Sequence, residues 1–244
     1  MTDAIAERLA QVRERIRMAT ESAGLPAASV QLLAVSKTFG PEAVLAAMAA
    51  GQRDFGENYV QEGVAKAQAV ADRGVRWHFI GPLQSNKTRD VATHFDWVHS
   101  VDRFKIAERL ASQRPATLPP LEICLQVNLD AEPTKSGVPP TSVHEELQAL
   151  ARLAAQTGRL RLRGLMAIPS PEPALAQQRA AFGRLRELLK EAQLTVGKAY
   201  TTSAVLLDTL SMGMSADLEA AIAESDPECV TWIRIGSAIF GQRG

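Results

Sequence analysis

The sequence predicts a closed parallel (β/α)8 TIM barrel, and three observations carry that expectation. Short apolar, strand-like runs alternate with longer helical patterns along most of the chain, the order that builds a parallel sheet with crossover helices. The chain has 244 residues, close to the roughly 250 of one such barrel. Eight strand-like runs can be placed, and no Gly-x-Gly-x-x-Gly turn follows the first, which disfavours the alternative of a doubly wound open sheet.

The elements follow in order. Ile5, Leu9, Val12 and Ile16 recur at spacings of four, three and four, one face of a helix that starts near Thr2 or Asp3 and stops at Gly24. Strands are expected at 32–36, 53–56, 77–81, 97–101, 121–129, 162–168, 209–212 and 230–235. Helices are expected between them, at 41–50, 60–71, 86–94, 103–112, 142–156, 174–192 and 216–224. Pro41 opens the first of these and Gly51 closes it, the usual asymmetry of helix ends. The stretch 195–207 reads equally as strand, loop or helix extension, so the seventh strand has no firm start.

Composition excludes several function classes. The 27 basic residues balance 27 acidic ones, without the basic excess expected of a nucleic-acid binder. Glu7, Arg13, Glu14 and Arg15 interrupt any secretory apolar stretch, and the run 43–50 is too short to span a bilayer. Cys124 and Cys229 are the only cysteines, each in a strand-like run. Two buried, reduced thiols fit a cytoplasmic protein better than a disulfide framework. His78, His94, His99 and His144 show no metal-ligand spacing, and no P-loop or Gly-x-Ser-x-Gly elbow is present.

Candidate site residues lie at strand ends. Lys37 closes the apolar run 30–36 and precedes Thr38-Phe39-Gly40-Pro41, a tight exit. This position delivers an amine to the C-terminal rim, where barrels carry their chemistry, and a neutral lysine amine there can form an imine with an aldehyde. A surface lysine ending a strand is the alternative. Ser211-Met212-Gly213-Met214-Ser215 ends one strand and starts a helix, which suits phosphate, with Gly213 permitting close backbone approach; Ser215 as a simple helix cap is the alternative. Arg234-Ile235-Gly236-Ser237 ends the last strand, and barrel phosphate sites commonly occupy the loops after strands seven and eight. Arg234 as a structural ion-pair partner remains open. Glu57 and Asn58, then Gln84, Asn86 and Lys87, then Gln126 and Asn128 with Lys135 and Gly137 beyond them, make the rim polar at further strand ends. Pyridoxal 5'-phosphate is the leading candidate ligand.

Seven motifs together resemble the pyridoxal phosphate homeostasis family. They are Ala34-Val35-Ser36-Lys37, the run 55–62 beginning Phe55-Gly56-Glu57-Asn58, the run 77–87 beginning Trp77-His78-Phe79-Ile80-Gly81-Pro82, Gln126-Val127-Asn128, Gly164-Leu165-Met166-Ala167-Ile168-Pro169, the run 210–217 and the run 234–241. The resemblance spans residues 33–241 in order. It implies a barrel like the N-terminal domain of alanine racemase, with the whole chain one cofactor-binding domain and residues 1–24 a helix packed on it. It also implies Lys37 holding the cofactor as an internal aldimine, Arg234 at the pyridine nitrogen, phosphate contacts from Ser211, Gly236 and Ser237, and Asn58 and Met166 near the ring. The run 225–232, in place of a shorter approach to the last strand, and the stretch 195–207 depart from the family pattern.

The resemblance implies a protein that buffers or delivers pyridoxal phosphate, with no established reaction and with PLP-dependent apo-enzymes as candidate partners. A monomer without nucleic-acid or membrane partners is expected. The alternative is an amino-acid racemase of low activity. Only Gly236 to Gly244 follow the last strand, so no second domain is expected to bring a base to the opposite cofactor face, as two-base racemisation requires. An arginine facing the pyridine nitrogen also disfavours ring protonation and so weakens the electron sink.

Overall fold

The computed structural model describes residues 2–71, 74–130, 132, 134–170 and 174–241. Residues 1 and 242–244 of the expected domain lie outside the described set. The chain opens with helix α1 (Thr2–Ser22), whose Ile5, Leu9, Val12 and Ile16 are buried. Gly24 ends it in the left-handed region at φ 67°, where a residue without Cβ is favoured.

Strands and helices then alternate: β1 (Val30–Val35), α2 (Pro41–Ala49), β2 (Asp54–Glu57), α3 (Val60–Ala69), β3 (Arg76–Phe79), α4 (Thr88–His94), β4 (Trp97–Val101) and α5 (Phe104–Gln113). They continue as β5 (Leu121–Val127), α6 (Val143–Thr157), β6 (Leu160–Ala167), α7 (Leu175–Ala192), β7 (Val205–Ser211), α8 (Leu218–Ala223), β8 (Val230–Ile235) and α9 (Ser237–Phe240). Each strand pairs in parallel with the next, and β8 returns to β1, so the eight form a closed barrel. Helix α1 lies against α2, α8 and α9. The main apolar core fills the layer between the strands' outer faces and the helices.

Register positions the C-terminal mouth. Ala34 pairs with Ile235, and Val35 with Gly56. Two residues beyond Val35 and Gly56, Lys37 comes level with Asn58, and the Gly236-Ser237 turn follows directly on the Ala34–Ile235 pair.

The seventh strand differs most from expectation. It starts at Val205, because a π-turn at Gln193–Gly197 prolongs the preceding helix. The β6–β7 register breaks between Leu162 and Gly164. Leu207 has φ 50°, and a Cβ on Gly164 would sit 1.9 Å from the Thr209 carbonyl oxygen. That irregular backbone erases the period-two pattern from which a strand start is read. The short helix α9 was not expected at all.

Barrel interiors are commonly layered with branched aliphatic side chains. Here a group of rings fills the centre instead. His78 stacks on Trp97 with ring centroids 5.4 Å apart, meets Trp232 edge-on at 4.9 Å and lies 5.2 Å from His99. Trp97, Cys124 and Met166 form a small apolar cluster of their own.

Candidate functional site

A cavity of about 710 Å³ opens at the C-terminal mouth. Lys37, Asn58, Arg234, Gly236 and Ser237 all line it, so five of the eight expected site residues converge on one space. Ile80, Ile168, Phe39 and Met214 supply its apolar walls. These walls were not singled out in the sequence, although each follows closely on a strand end.

The exit from β1 is tightly held. Thr38 has φ 68°, a conformation β-branched residues rarely adopt and one that costs about 1–3 kcal/mol. Its N–H donates to the Glu62 carboxylate of α3 at 2.8 Å, and the neighbouring Phe39 ring packs 5.3 Å from Phe240 of α9. Behind this turn Glu57 is fully buried rather than on the rim. The Ser36 hydroxyl donates to it at 2.6 Å and the Lys66 ammonium at 2.7 Å. Burial pushes the Glu57 carboxyl above the usual range, opposed by the hydrogen bonds from Lys66 and Ser36.

Arg234 is almost wholly buried. Its Nη1 donates to the Ser211 hydroxyl and its Nη2 to the Ala167 carbonyl, both at 2.9 Å. It makes no salt bridge among the described residues, and burial lowers its pKa to about 10. The expected alternative of a direct structural ion pair is therefore not what the described residues show. The Asn58 side-chain oxygen is buried with no hydrogen-bond partner among the described residues. The mouth thus offers a lysine, a buried cation, an unsatisfied carbonyl and the first amides of α9, which the helix's own bonds leave open.

Three expected residues do not line this cavity. Ser211 is fully buried, its hydroxyl bonded to Arg234 and 2.7 Å from His99 Nδ1. A direct phosphate contact from it is not supported by this placement. Gly213 has φ 82°, and its missing Cβ would sit 2.6 Å from Ala221 Cβ and 3.0 Å from Ile233 Cδ1. Helix packing and backbone conformation account for a glycine here. Met166 is fully buried in the barrel interior. Among the polar rim candidates, the Asn128 amide nitrogen donates to the Glu132 and Lys135 carbonyls, and Gln126 to the Ser136 carbonyl. These side chains fix the loop after β5.

A second cavity, of about 550 Å³, opens at the opposite mouth between α1 and the strand starts. Arg13, Arg53, Asp54 and Arg76 line it, and among the described residues no lysine does, so it has no amine for an aldehyde. The described residues hold no cluster suited to a metal ion and no helix long and apolar enough to cross a membrane.

Comparison with known proteins places the chain in a family. The alanine racemase N-terminal domain family model matches residues 7–244. A pyridoxal phosphate homeostasis protein of Pseudomonas aeruginosa is 57% identical over 98% of this chain and 96% of its own length. The structure of PipY from Synechococcus elongatus without PLP superposes with a TM-score of 0.81 at 40% identity, covering 97% of this chain and all of that one. PipY with PLP bound superposes at 0.77 and 39% identity, with the same coverage. The chain belongs to the alanine racemase N-terminal domain family and, within it, to the pyridoxal phosphate homeostasis proteins.

Proposed function

We propose that this protein binds pyridoxal 5'-phosphate at the C-terminal mouth of its barrel and serves intracellular homeostasis of that cofactor by holding and releasing it. The observation that carries this reading is the convergence of Lys37, Asn58, Arg234, Gly236 and Ser237 on one cavity. Relatives named for pyridoxal phosphate homeostasis, and PipY with PLP bound, support it.

The residues fit the group. When bound, pyridoxal phosphate supplies an aldehyde that a neutral lysine amine can hold covalently. Lys37 is the lysine that lines the cavity, and the strained Thr38 turn follows it directly. The orphaned Asn58 oxygen gains a partner only if a donor enters the cavity. Arg234 would present fixed positive charge to the ring, and the open amides at Gly236 and Ser237 would suit a phosphate.

We further propose that the protein carries the cofactor and does not turn over amino acids. Lys37 and Arg234 are the ionisable side chains among the described residues lining the cavity. Abstracting a proton on one face of a planar adduct and returning one on the other calls for a second acid or base. Arg234 also works against protonation of the pyridine ring. Ile168 and Met214, both partly exposed at the rim, leave the mouth open to an apo-enzyme in the cytoplasm, and the carrier acts as a monomer.

The test is chemical trapping. The purified protein is loaded with pyridoxal phosphate, reduced with borohydride and digested, and the modified peptide is mapped. A pyridoxyl group on Lys37 is the expected outcome. A pyridoxyl group on another lysine, or none at all, overturns the assignment.

A further inference from the structure

A continuous hydrogen-bonded chain crosses the barrel interior behind Arg234. Arg234 Nη1 lies 2.9 Å from Ser211 Oγ, Ser211 Oγ 2.7 Å from His99 Nδ1, His99 Nε2 2.9 Å from His78 Nδ1, and His78 Nε2 3.0 Å from Asp54 Oδ1. Arg76 closes the far end, donating Nε and Nη2 to the two Asp54 oxygens at 2.6 and 2.7 Å. His78, His99 and Ser211 are wholly buried, and Arg234 and Asp54 nearly so. The chain runs from β8 through β7, β4 and β3 to β2, linking the C-terminal cavity to the cavity at the opposite mouth.

The chemistry of the end groups fixes its direction. Arginine can only donate and a carboxylate can only accept. Ser211 therefore accepts from Arg234 and gives its own proton to His99 Nδ1. His99 then donates from Nε2 to His78 Nδ1, and His78 from Nε2 to Asp54. In the opposite polarity His78 would have to accept from Asp54, and the Ser211 proton would lose its acceptor. One polarity satisfies every link, with both imidazoles neutral in the Nε2–H form. Burial favours the neutral form of each ring.

We propose that Ser211, His99, His78 and Asp54 are positioning residues for Arg234, holding its guanidinium in one orientation toward the pyridine nitrogen of the cofactor. The proposal rests on the pyridoxal phosphate reading above. Because the Ser211 proton is committed to His99, a serine lone pair stays turned to the arginine. Arg76 pairs with Asp54 at the far end, and no carboxylate among the described residues forms a salt bridge with Arg234 itself. The Ser211 side chain itself thus acts on the cofactor through Arg234 and not through the phosphate.

Two measurements test this. Nitrogen NMR of the ligand-free protein reads the histidine tautomers directly. Both His78 and His99 are expected as Nε2–H; either ring as Nδ1–H or as imidazolium near neutral pH overturns the chain. This result is independent of whether the protein binds the cofactor. The second measurement compares affinity for pyridoxal phosphate with affinity for its analogue carrying CH in place of the ring nitrogen. Ser211→Ala and His99→Leu are expected to weaken pyridoxal phosphate binding about tenfold, the scale of a hydrogen bond to a charged group, and to leave analogue binding unchanged. Should His99→Leu fail to fold, Ser211→Ala and Asp54→Asn carry the same comparison. Equal loss for both ligands would reduce the chain to a structural role and overturn the proposal, as would a wild-type protein that does not distinguish the two. Failure to bind either ligand would instead overturn the cofactor reading.

Discussion

The Lys66 ammonium meets the Glu57 carboxylate at 2.7 Å in the buried space directly behind the strand end that carries Lys37. The same ammonium donates to the Ser36 carbonyl at 2.7 Å, so one ion pair supports the residue immediately before the candidate ligand-bearing lysine. Removing one partner leaves a buried charge uncompensated, at a cost of about 3–5 kcal/mol, whereas replacing both with apolar groups can be nearly neutral. Lys66→Met should therefore destabilise the fold by that amount, and adding Glu57→Leu should recover most of it. Urea denaturation of the two single variants and the double variant measures the coupling. A double variant destabilised by the sum of the two single losses would mean that the pair is not coupled.

A second prediction concerns pH. Burial holds His78 and His99 below the ordinary histidine value of 6.5, His99 well below it. Asp54, Asp96 and Arg76 are the charged groups acting on His78, and His78 and then Arg234 act on His99. A depressed folded-state value means that the unfolded chain takes up protons first as pH falls. The stability held by the neutral rings is thus fully present above about 6.5 and declines below it, by up to about 1.4 kcal/mol per pH unit for each ring. Asp54 is also held below its usual value: burial raises it, but the bonds from His78 and Arg76 outweigh burial. Its contribution is lost only at still lower pH. Urea midpoints at about pH 7.5 and about pH 5.5 should fall for the wild type and fall less for His99→Gln. Equal falls would remove His99 as a source.

Much of the fold was legible because barrel helices announce themselves through apolar period and caps, as Ile5 to Ile16 and Pro41 to Gly51 do. The start of β7 was not, because Gly164 and Leu207 take backbone conformations that break the strand period. Within the site, Lys37, Asn58, Arg234, Gly236 and Ser237 could be placed because each ends a strand or follows one directly. Ser211, Gly213 and Met166 sit on the same strand ends but turn toward the barrel interior or the packing behind it. Sequence position alone does not separate a side chain at the mouth from one a layer beneath it. The available signal was the recurrence of Asp54, His78 and His99 on three successive strands, which metal spacing could not explain and which the interior hydrogen bonds do.

The Gly236 turn gives a third prediction. A Cβ added there would lie 3.2 Å from the Val35 carbonyl oxygen, so a larger side chain must extend elsewhere, and the residue lines the mouth. Gly236→Val should weaken binding of pyridoxal phosphate by about tenfold or more, about 1.4 kcal/mol, and binding of pyridoxal much less. Calorimetric titration with the two ligands checks this. Equal weakening would place the phosphate away from this turn.

The fourth prediction separates carriage from catalysis. Among the described residues, the charged groups lining the cavity are a lysine that can hold an aldehyde and an arginine that would oppose ring protonation. Neither stands as a second base for returning a proton to the opposite face. The protein should therefore release pyridoxal phosphate to a PLP-dependent apo-enzyme and restore that enzyme's activity, while racemising amino acids far more slowly than enzymes do. Both assays run on the same loaded preparation, with Lys37→Ala as the control expected to lose transfer. Racemisation by the monomer at even about one turnover per second, near the low end for enzymes, would defeat the carrier reading. Absence of transfer, with the cofactor still bound, would leave storage of pyridoxal phosphate as the role that Lys37 and Arg234 support.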